Sequence, residues 1–123
     1  MSHLGIILTG GPFDSQRWKT AYEMGRAALD GGHEVSIFAY LDGAYVPMVD
    51  QHFEATTGDG LFSKMPGDRY EELLDEGAAM FVCGLCMDAR AVDPQADLPE
   101  AITVGLLPDL ADIIGEADRV ISL

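Results

Sequence analysis

Apolar and amphipathic segments alternate along the whole chain. Short continuous apolar runs are typical of strands buried on both faces of a sheet, and the segments between them carry apolar residues at helical spacing. The predicted strands lie at residues 4–9, 34–40, 78–82, 102–104 and 119–123. Because strands and helices alternate, the sequence predicts an α/β fold, a three-layer α/β/α sandwich around a five-stranded, mainly parallel sheet.

Polar and glycine residues mark where the helices should begin and end. Asp14 or Ser15 is the expected N-cap of the first helix, and Gly31-Gly32 is its expected stop. Asp68 is the expected cap of the second helix, which ends at Gly77. A short helix should run from Cys83 to Asp93-Pro94, and the last helix should open at Pro108. We also expect a short helix within 44–50 and a long surface loop at 51–67, either a functional lid or a tolerated insertion.

Length and composition limit the possible classes of protein. A chain of 123 residues with 48% hydrophobic content can bury one core, so we expect a single domain over 1–123. Residues 1–5 do not resemble the start of a secretory signal, and no apolar run reaches membrane-spanning length. We therefore expect a cytoplasmic protein, and in that reducing compartment a cysteine pair is more often catalytic or metal-binding than structural.

The chain is strongly acidic. Its formal net charge is -14, spread along the sequence, which argues against binding to nucleic acid or to an anionic membrane. A soluble, self-repelling surface explains the charge, as would adaptation to a saline cytoplasm.

The candidate chemistry lies at Cys83 and Cys86, the only two cysteines of the chain. They directly follow a predicted strand, so Cys83 should cap a helix and Cys86 should lie one turn inside it. Backbone N–H groups there stabilise a thiolate, which makes Cys83 the candidate nucleophile and Cys86 a second thiol. The alternatives are two buried packing residues or an intrachain disulfide. The three scattered histidines give no zinc ligand set, so we expect no metal and no cofactor.

Other candidate residues should share the edge of the sheet at which Cys83 lies. In parallel sheets, ligands bind beyond the carboxyl ends of the strands. The backbone N–H groups of Gly10-Gly11 could approach an anion at the N-terminus of the first helix, although a plain turn is the simpler interpretation. A turn is also the simpler interpretation of Asp42 and the glycine that follows it. Arg90 lies seven residues after Cys83 and could favour a thiolate or a bound anion. Its alternative role is an ion pair with Asp88, Asp93 or an acidic residue in an oligomer.

Three segments of the sequence resemble the DsrE/TusD-like (DsrE/DsrF-like) sulfur-relay family. They are residues 32–43, 82–92 and 116–121. The resemblance implies a five-stranded parallel α/β/α subunit, assembly into homotrimers, homohexamers or related hetero-oligomers, and a cysteine that carries sulfur as a persulfide. Cys83 matches that cysteine because it precedes the arginine of the family's Cys...Arg-Gly pattern, and Cys86 resembles the extra cysteine of a Cys-x-x-Cys branch. Ala91 departs from the pattern, which has glycine there.

The resulting hypothesis is a cytoplasmic sulfur-relay protein. Cys83 would accept sulfane sulfur from a donor protein and pass it to an acceptor thiol, with Cys86 discharging the persulfide or tuning its reactivity. The rival hypotheses are a non-catalytic oligomeric binding module with structural cysteines and a dithiol oxidoreductase. For the expected homo-oligomer, the candidate apolar contacts are Phe53, Leu61, Phe62 and Met65.

Overall fold

A parallel sheet organises the protein. The computed structural model describes residues 1–49, 51 and 65–123. The strands are β1 (His3–Leu8), β2 (Glu34–Ala39), β3 (Ala79–Cys83), β4 (Thr103–Gly105) and β5 (Arg119–Ser122). They form one sheet in the order β4-β3-β2-β1-β5, and every neighbouring pair is parallel. Each predicted strand is confirmed to within one residue at either end.

Helices cover both faces of this sheet. They are α1 (Arg17–Asp30), α2 (Pro66–Asp75), α3 (Gly84–Ala89) and α4 (Leu107–Glu116). A Cβ built at Gly25 of α1 would lie 3.3 Å from Cδ1 of Leu73 in α2, so these two helices pack side by side. A Cβ built at Gly5 of β1 would instead lie 3.1 Å from Cγ2 of Ile113 in α4. Thus α1 and α2 lie on one face and α4 on the other, which confirms the predicted three-layer architecture.

Two helices begin at residues other than the predicted caps. The N-cap of α1 is Gln16, not Asp14 or Ser15, and its side chain makes no capping hydrogen bond. Helix α2 begins at Pro66, so Asp68 lies inside its first turn instead of capping it. Proline suits the first helical position because its φ is already helical and its missing N–H would have no partner there.

Two further predictions about short helices were wrong. The helix expected within 44–50 is replaced by a 3-10 helix at Leu41–Tyr45, directly after β2. Helix α3 ends at Ala89, before the expected Asp93-Pro94, because Ala91 adopts a left-handed conformation that reverses the chain. By contrast, α1 ends at the predicted Gly31-Gly32, where Gly32 has a φ of 81°.

The register of the strands determines which loops meet. Leu8 pairs with Ala39, Ala39 with Val82, and Cys83 with Gly105. The carboxyl ends of the four neighbouring strands are therefore level, and the segments that follow them share one edge of the sheet. Among the residues described, no helix combines the length and apolar character required to cross a bilayer.

Candidate functional site

Cys83 lies where β3 becomes α3. It is the N-cap of α3, and its Sγ accepts a hydrogen bond from the backbone N–H of Cys86 at 3.4 Å. The sequence-based placement of Cys83 at the cap and Cys86 one turn inside the helix is confirmed. Both cysteines are free thiols, and as residues they are only 2% and 6% exposed.

Cys86 has a second backbone contact, from the segment that follows β2. The N–H of Leu41 donates a hydrogen bond to the Cys86 Sγ at 3.1 Å. Burial raises the pKa of the Cys86 thiol, and its hydrogen bond with the Cys83 side chain raises that pKa further. The Leu41 N–H and the positive charge of Arg90 act in the opposite direction. Because the net shift is upward, Cys86 is a protonated thiol at neutral pH.

Arg90 connects α3 to the 3-10 helix. Its Nε lies 2.8 Å from Oδ1 of Asp42, and its Nη1 donates to the carbonyl oxygen of Cys86 at 3.2 Å. An ion pair was one of the two roles expected for Arg90, but the partner is Asp42, not Asp88 or Asp93. Asp42 therefore has a defined contact at the site, and it lies in the 3-10 helix instead of the plain turn considered from the sequence.

Unusual backbone conformations lie on either side of this ion pair. In the described part of the chain, only Leu41 and Ala91 combine a side chain with a positive φ, which is 55° at each. Leu41 directly precedes Asp42, and Ala91 directly follows Arg90. At Ala91 the N–H groups of Ala91 and Val92 bond to the carbonyls of Asp88 and Met87, a Schellman ending for α3. Glycine is the preferred residue at that position, which gives a structural meaning to the family's glycine there.

The two cysteines line a cavity of about 230 Å³. Its other lining residues are Tyr40, Leu41, Leu85, Ala89, Arg90 and Leu107. A second cavity of about 360 Å³ is lined by Gly11, Pro12, Phe13, Asp14, Asp42, Tyr45 and Gln51. Asp42 lines one cavity and its partner Arg90 lines the other, so the ion pair stands between them. The first cavity therefore lies against two thiols that are otherwise buried.

Gly10 and Gly11 lie at the same edge of the sheet but not at a helix N-terminus. Helix α1 begins only at Arg17. A Cβ built at Gly11 would lie 3.0 Å from Oδ1 of Asp14 and 3.4 Å from Cβ of Asp42. Gly11 thus packs against Asp14 and Asp42, and an anion-binding role for Gly10 and Gly11 stays a prediction.

Some contributors to the site were missed from sequence. The Leu41 N–H is one, because nothing in the sequence indicates that this leucine adopts a positive φ. Leu107 is another, and here a signal existed: it follows β4, whose carboxyl end lies level with that of β3. Within the described residues no group of three or more His, Cys, Asp or Glu side chains is arranged to hold a metal ion.

Comparisons with known proteins agree with this architecture. The ychN protein from E. coli superimposes with a TM-score of 0.73 over the whole of both chains at 18% identity, which shows a shared fold. The uncharacterized protein MJ0989 of Methanocaldococcus jannaschii is 31% identical over 121 residues, which cover 95% of this chain and 96% of that protein. The uncharacterized protein MK0008 of Methanopyrus kandleri is 26% identical over 118 residues, covering 94% and 89%. The sequence model of the DsrE/DsrF-like family matches residues 2–123. The chain therefore belongs to the DsrE/DsrF-like family.

Proposed function

We propose that this protein is a sulfur carrier in which Cys83 holds sulfane sulfur as a persulfide and transfers it to an acceptor thiol. The observation that supports this most directly is the Cys83 Sγ at the start of α3, where it accepts the Cys86 N–H and faces a cavity. A cysteine that caps a helix and lines a cavity is placed where a nucleophilic thiol can meet a small reactant.

Loading exchanges one sulfur–sulfur bond for another. The Cys83 thiolate attacks the terminal sulfur of a donor persulfide, so a bond forms from Cys83 Sγ to that sulfur while the donor's own sulfur–sulfur bond breaks. The donor leaves as a thiol after taking up one proton, and no net oxidation occurs. Transfer to the acceptor is the same exchange with the acceptor thiolate as the nucleophile.

Cys86 provides a second possible reaction. Its thiolate can attack Cys83 Sγ, which forms a Cys83–Cys86 disulfide and releases the sulfane sulfur as sulfide; the two cysteine sulfurs are oxidised and the sulfane sulfur is reduced. Because the pKa of Cys86 is raised, this thiolate is scarce at neutral pH. The raised pKa of Cys86 disfavours this discharge at neutral pH.

Mass spectrometry of the intact protein after incubation with a persulfide donor tests the proposal. The wild-type protein should gain the mass of one sulfur atom at Cys83, and dithiothreitol should remove it. Cys86→Ser should still be loaded, and Cys83→Ser should not. A Cys83→Ser protein that gains sulfur at Cys86 would refute the assignment to Cys83.

Burial of the cysteines favours the rival binding module. Cys83 is only 2% exposed, as a packing residue would be. Alkylation without denaturant separates the two proposals: a sulfur carrier reacts at Cys83, and a protein with purely structural cysteines does not. A dithiol oxidoreductase would in addition reduce insulin.

The exposed surface around the cavity bears on the partners of the protein. Three exposed apolar residues line the cavity, namely Leu41, Leu85 and Leu107, and two more, Val104 and Leu106, lie beside Gly84 between the two cysteines. We call these five residues the apolar collar. Such a patch favours contact with another protein surface, either a second copy of this chain or a donor or acceptor protein in the cytoplasm. Of the contacts proposed from sequence, Phe53, Leu61 and Phe62 lie outside the described residues, and Met65 is the half-buried N-cap of α2.

A further inference from the structure

A continuous set of hydrogen bonds runs from Asp42 to the two sulfur atoms. Asp42 binds Arg90, Arg90 binds the Cys86 carbonyl, the Leu41 N–H binds the Cys86 sulfur, and the Cys86 N–H binds the Cys83 sulfur. We propose that Asp42 and Arg90 are positioning residues, whose ion pair holds the Leu41 amide against the Cys86 sulfur. This inference rests on the proposed function, because it concerns the second thiol of the same site.

The shape of the guanidinium group suits this task. Arg90 uses Nε for Asp42 on the 3-10 helix and Nη1 for a carbonyl on α3, so one planar group ties the two elements together. A lysine would keep the charge but has no fork with which to make both contacts in fixed directions. The side chain of Arg90 is 21% exposed and that of Asp42 is 53% exposed, so water reaches this ion pair from the Asp42 side.

The segment that carries the Leu41 amide needs a restraint. A left-handed conformation is costly for a residue with a side chain. Leu41 adopts this conformation, and 44% of the residue is exposed to solvent. Strained positions persist only where surrounding contacts impose them, and they cluster at functional sites. The Schellman ending of α3 accounts for the conformation of Ala91, whereas Leu41 directly precedes Asp42, so the ion pair is a restraint that can hold the Leu41 segment in place.

The rival account is that Arg90 acts on Cys86 as a positive charge. The two accounts predict opposite results for Asp42→Asn. If Arg90 is a charge, removing the carboxylate that neutralises it favours the Cys86 thiolate, and Cys86 is alkylated faster. If the pair is a positioning device, the Leu41 amide is released, the thiolate loses a hydrogen bond, and alkylation is slower.

Arg90→Lys gives a second, independent comparison. It retains the charge and loses the fork, so a charge effect predicts little change, whereas positioning predicts slower alkylation of Cys86. Asp88→Asn is the matched control, because Asp88 is an exposed carboxylate on α3 whose side chain forms neither a hydrogen bond nor an ion pair with Arg90. It removes the same charge and leaves the ion pair in place.

Two measurements on the full chain test the inference, and neither requires a persulfide. Amide exchange followed by NMR reports the Leu41 N–H, with the Tyr40 N–H, bonded to the Leu8 carbonyl at 2.8 Å, as the internal reference for intact folding. Alkylation with iodoacetamide, read at each cysteine by mass spectrometry across pH, reports the Cys86 thiolate. In Asp42→Asn and Arg90→Lys we expect Leu41 exchange to rise at least about tenfold, and Cys86 alkylation at neutral pH to fall by about threefold or more.

Three results would overturn the inference. The Leu41 N–H could exchange at an unchanged rate in the variants, or Cys86 could be alkylated faster in Asp42→Asn. The third is an effect of Asp88→Asn on Leu41 exchange and Cys86 alkylation equal to that of Asp42→Asn. Failure of the proposed function has a different signature, namely no sulfur gained at Cys83 in the wild-type protein. The two failures are therefore distinguishable, because exchange and alkylation are measured on the unloaded protein.

Discussion

The backbone N–H of Leu41 lies 3.1 Å from the Sγ of Cys86, although 45 residues separate them in the sequence. This contact joins the segment after β2 to the helix after β3. It places a hydrogen-bond donor on the second thiol of the pair, while the N–H of Cys86 itself points to the first. The two sulfurs thus have different backbone donors, which suits different roles.

The pH dependence of Cys86 should report its coupling to Cys83. Burial and the Cys83 side chain both raise the pKa of Cys86. The rate of Cys86 alkylation should therefore increase with pH through a midpoint above that of a free cysteine, because only the thiolate reacts. In Cys83→Ala the hydrogen bond with the Cys83 side chain is lost, so the midpoint should fall. A midpoint that does not move would show that the thiols titrate independently.

Gly43 should be irreplaceable within the 3-10 helix. A Cβ built there would lie 2.1 Å from the carbonyl oxygen of Leu8, so Gly43→Ala must displace the backbone. We expect a loss of about 1–3 kcal/mol in the free energy of unfolding, measured with urea. The control is Gly115→Ala on α4, where a Cβ meets nothing within 4 Å and a gain of about 0.5–1 kcal/mol is expected. Equal effects of the two changes would contradict this account.

Ala91→Gly should stabilise the protein. Its φ of 55° costs a residue with a side chain about 1–2 kcal/mol. Glycine removes that strain, but the extra entropy of the unfolded chain costs about 0.5–1 kcal/mol, so we expect a net gain of about 0–1.5 kcal/mol. Urea unfolding measures it. Ala111→Gly, at an exposed position within α4, should lower the free energy of unfolding by about 0.5–1 kcal/mol instead.

The apolar collar should mediate protein contact. Leu85 is 66% exposed at the cavity mouth, so Leu85→Glu places a charge in that surface. If the collar joins copies of this chain, the mass measured by light scattering should fall to that of one chain, since an unpaired charge is costly to bury. Met24→Glu is the control, because Met24 is a partly exposed apolar residue on α1. An assembly that survives Leu85→Glu must use another surface.

Local sequence determined much of this fold and part of its site. Apolar runs marked the central strands β1, β2 and β3 because a strand buried on both faces needs few polar residues. The edge strands β4 and β5 are largely exposed, and their β-branched residues marked them. The double glycine after α1 gave its end, since a positive φ suits glycine. The position of Cys83 and Cys86 also followed from local pattern, because an N-cap and a residue one helical turn later are neighbours in any such helix.

Only the tertiary structure decided how the site is completed. The left-handed conformation of Leu41 and the Asp42–Arg90 pair have no local signal, because both depend on two segments that meet only after β2 and β3 pair in register. The partner of Arg90 was misassigned to nearby Asp88 or Asp93 for the same reason. Sequence periodicity reports the faces of single elements, whereas contacts between loops are determined by strand order and register, which belong to the sheet as a whole.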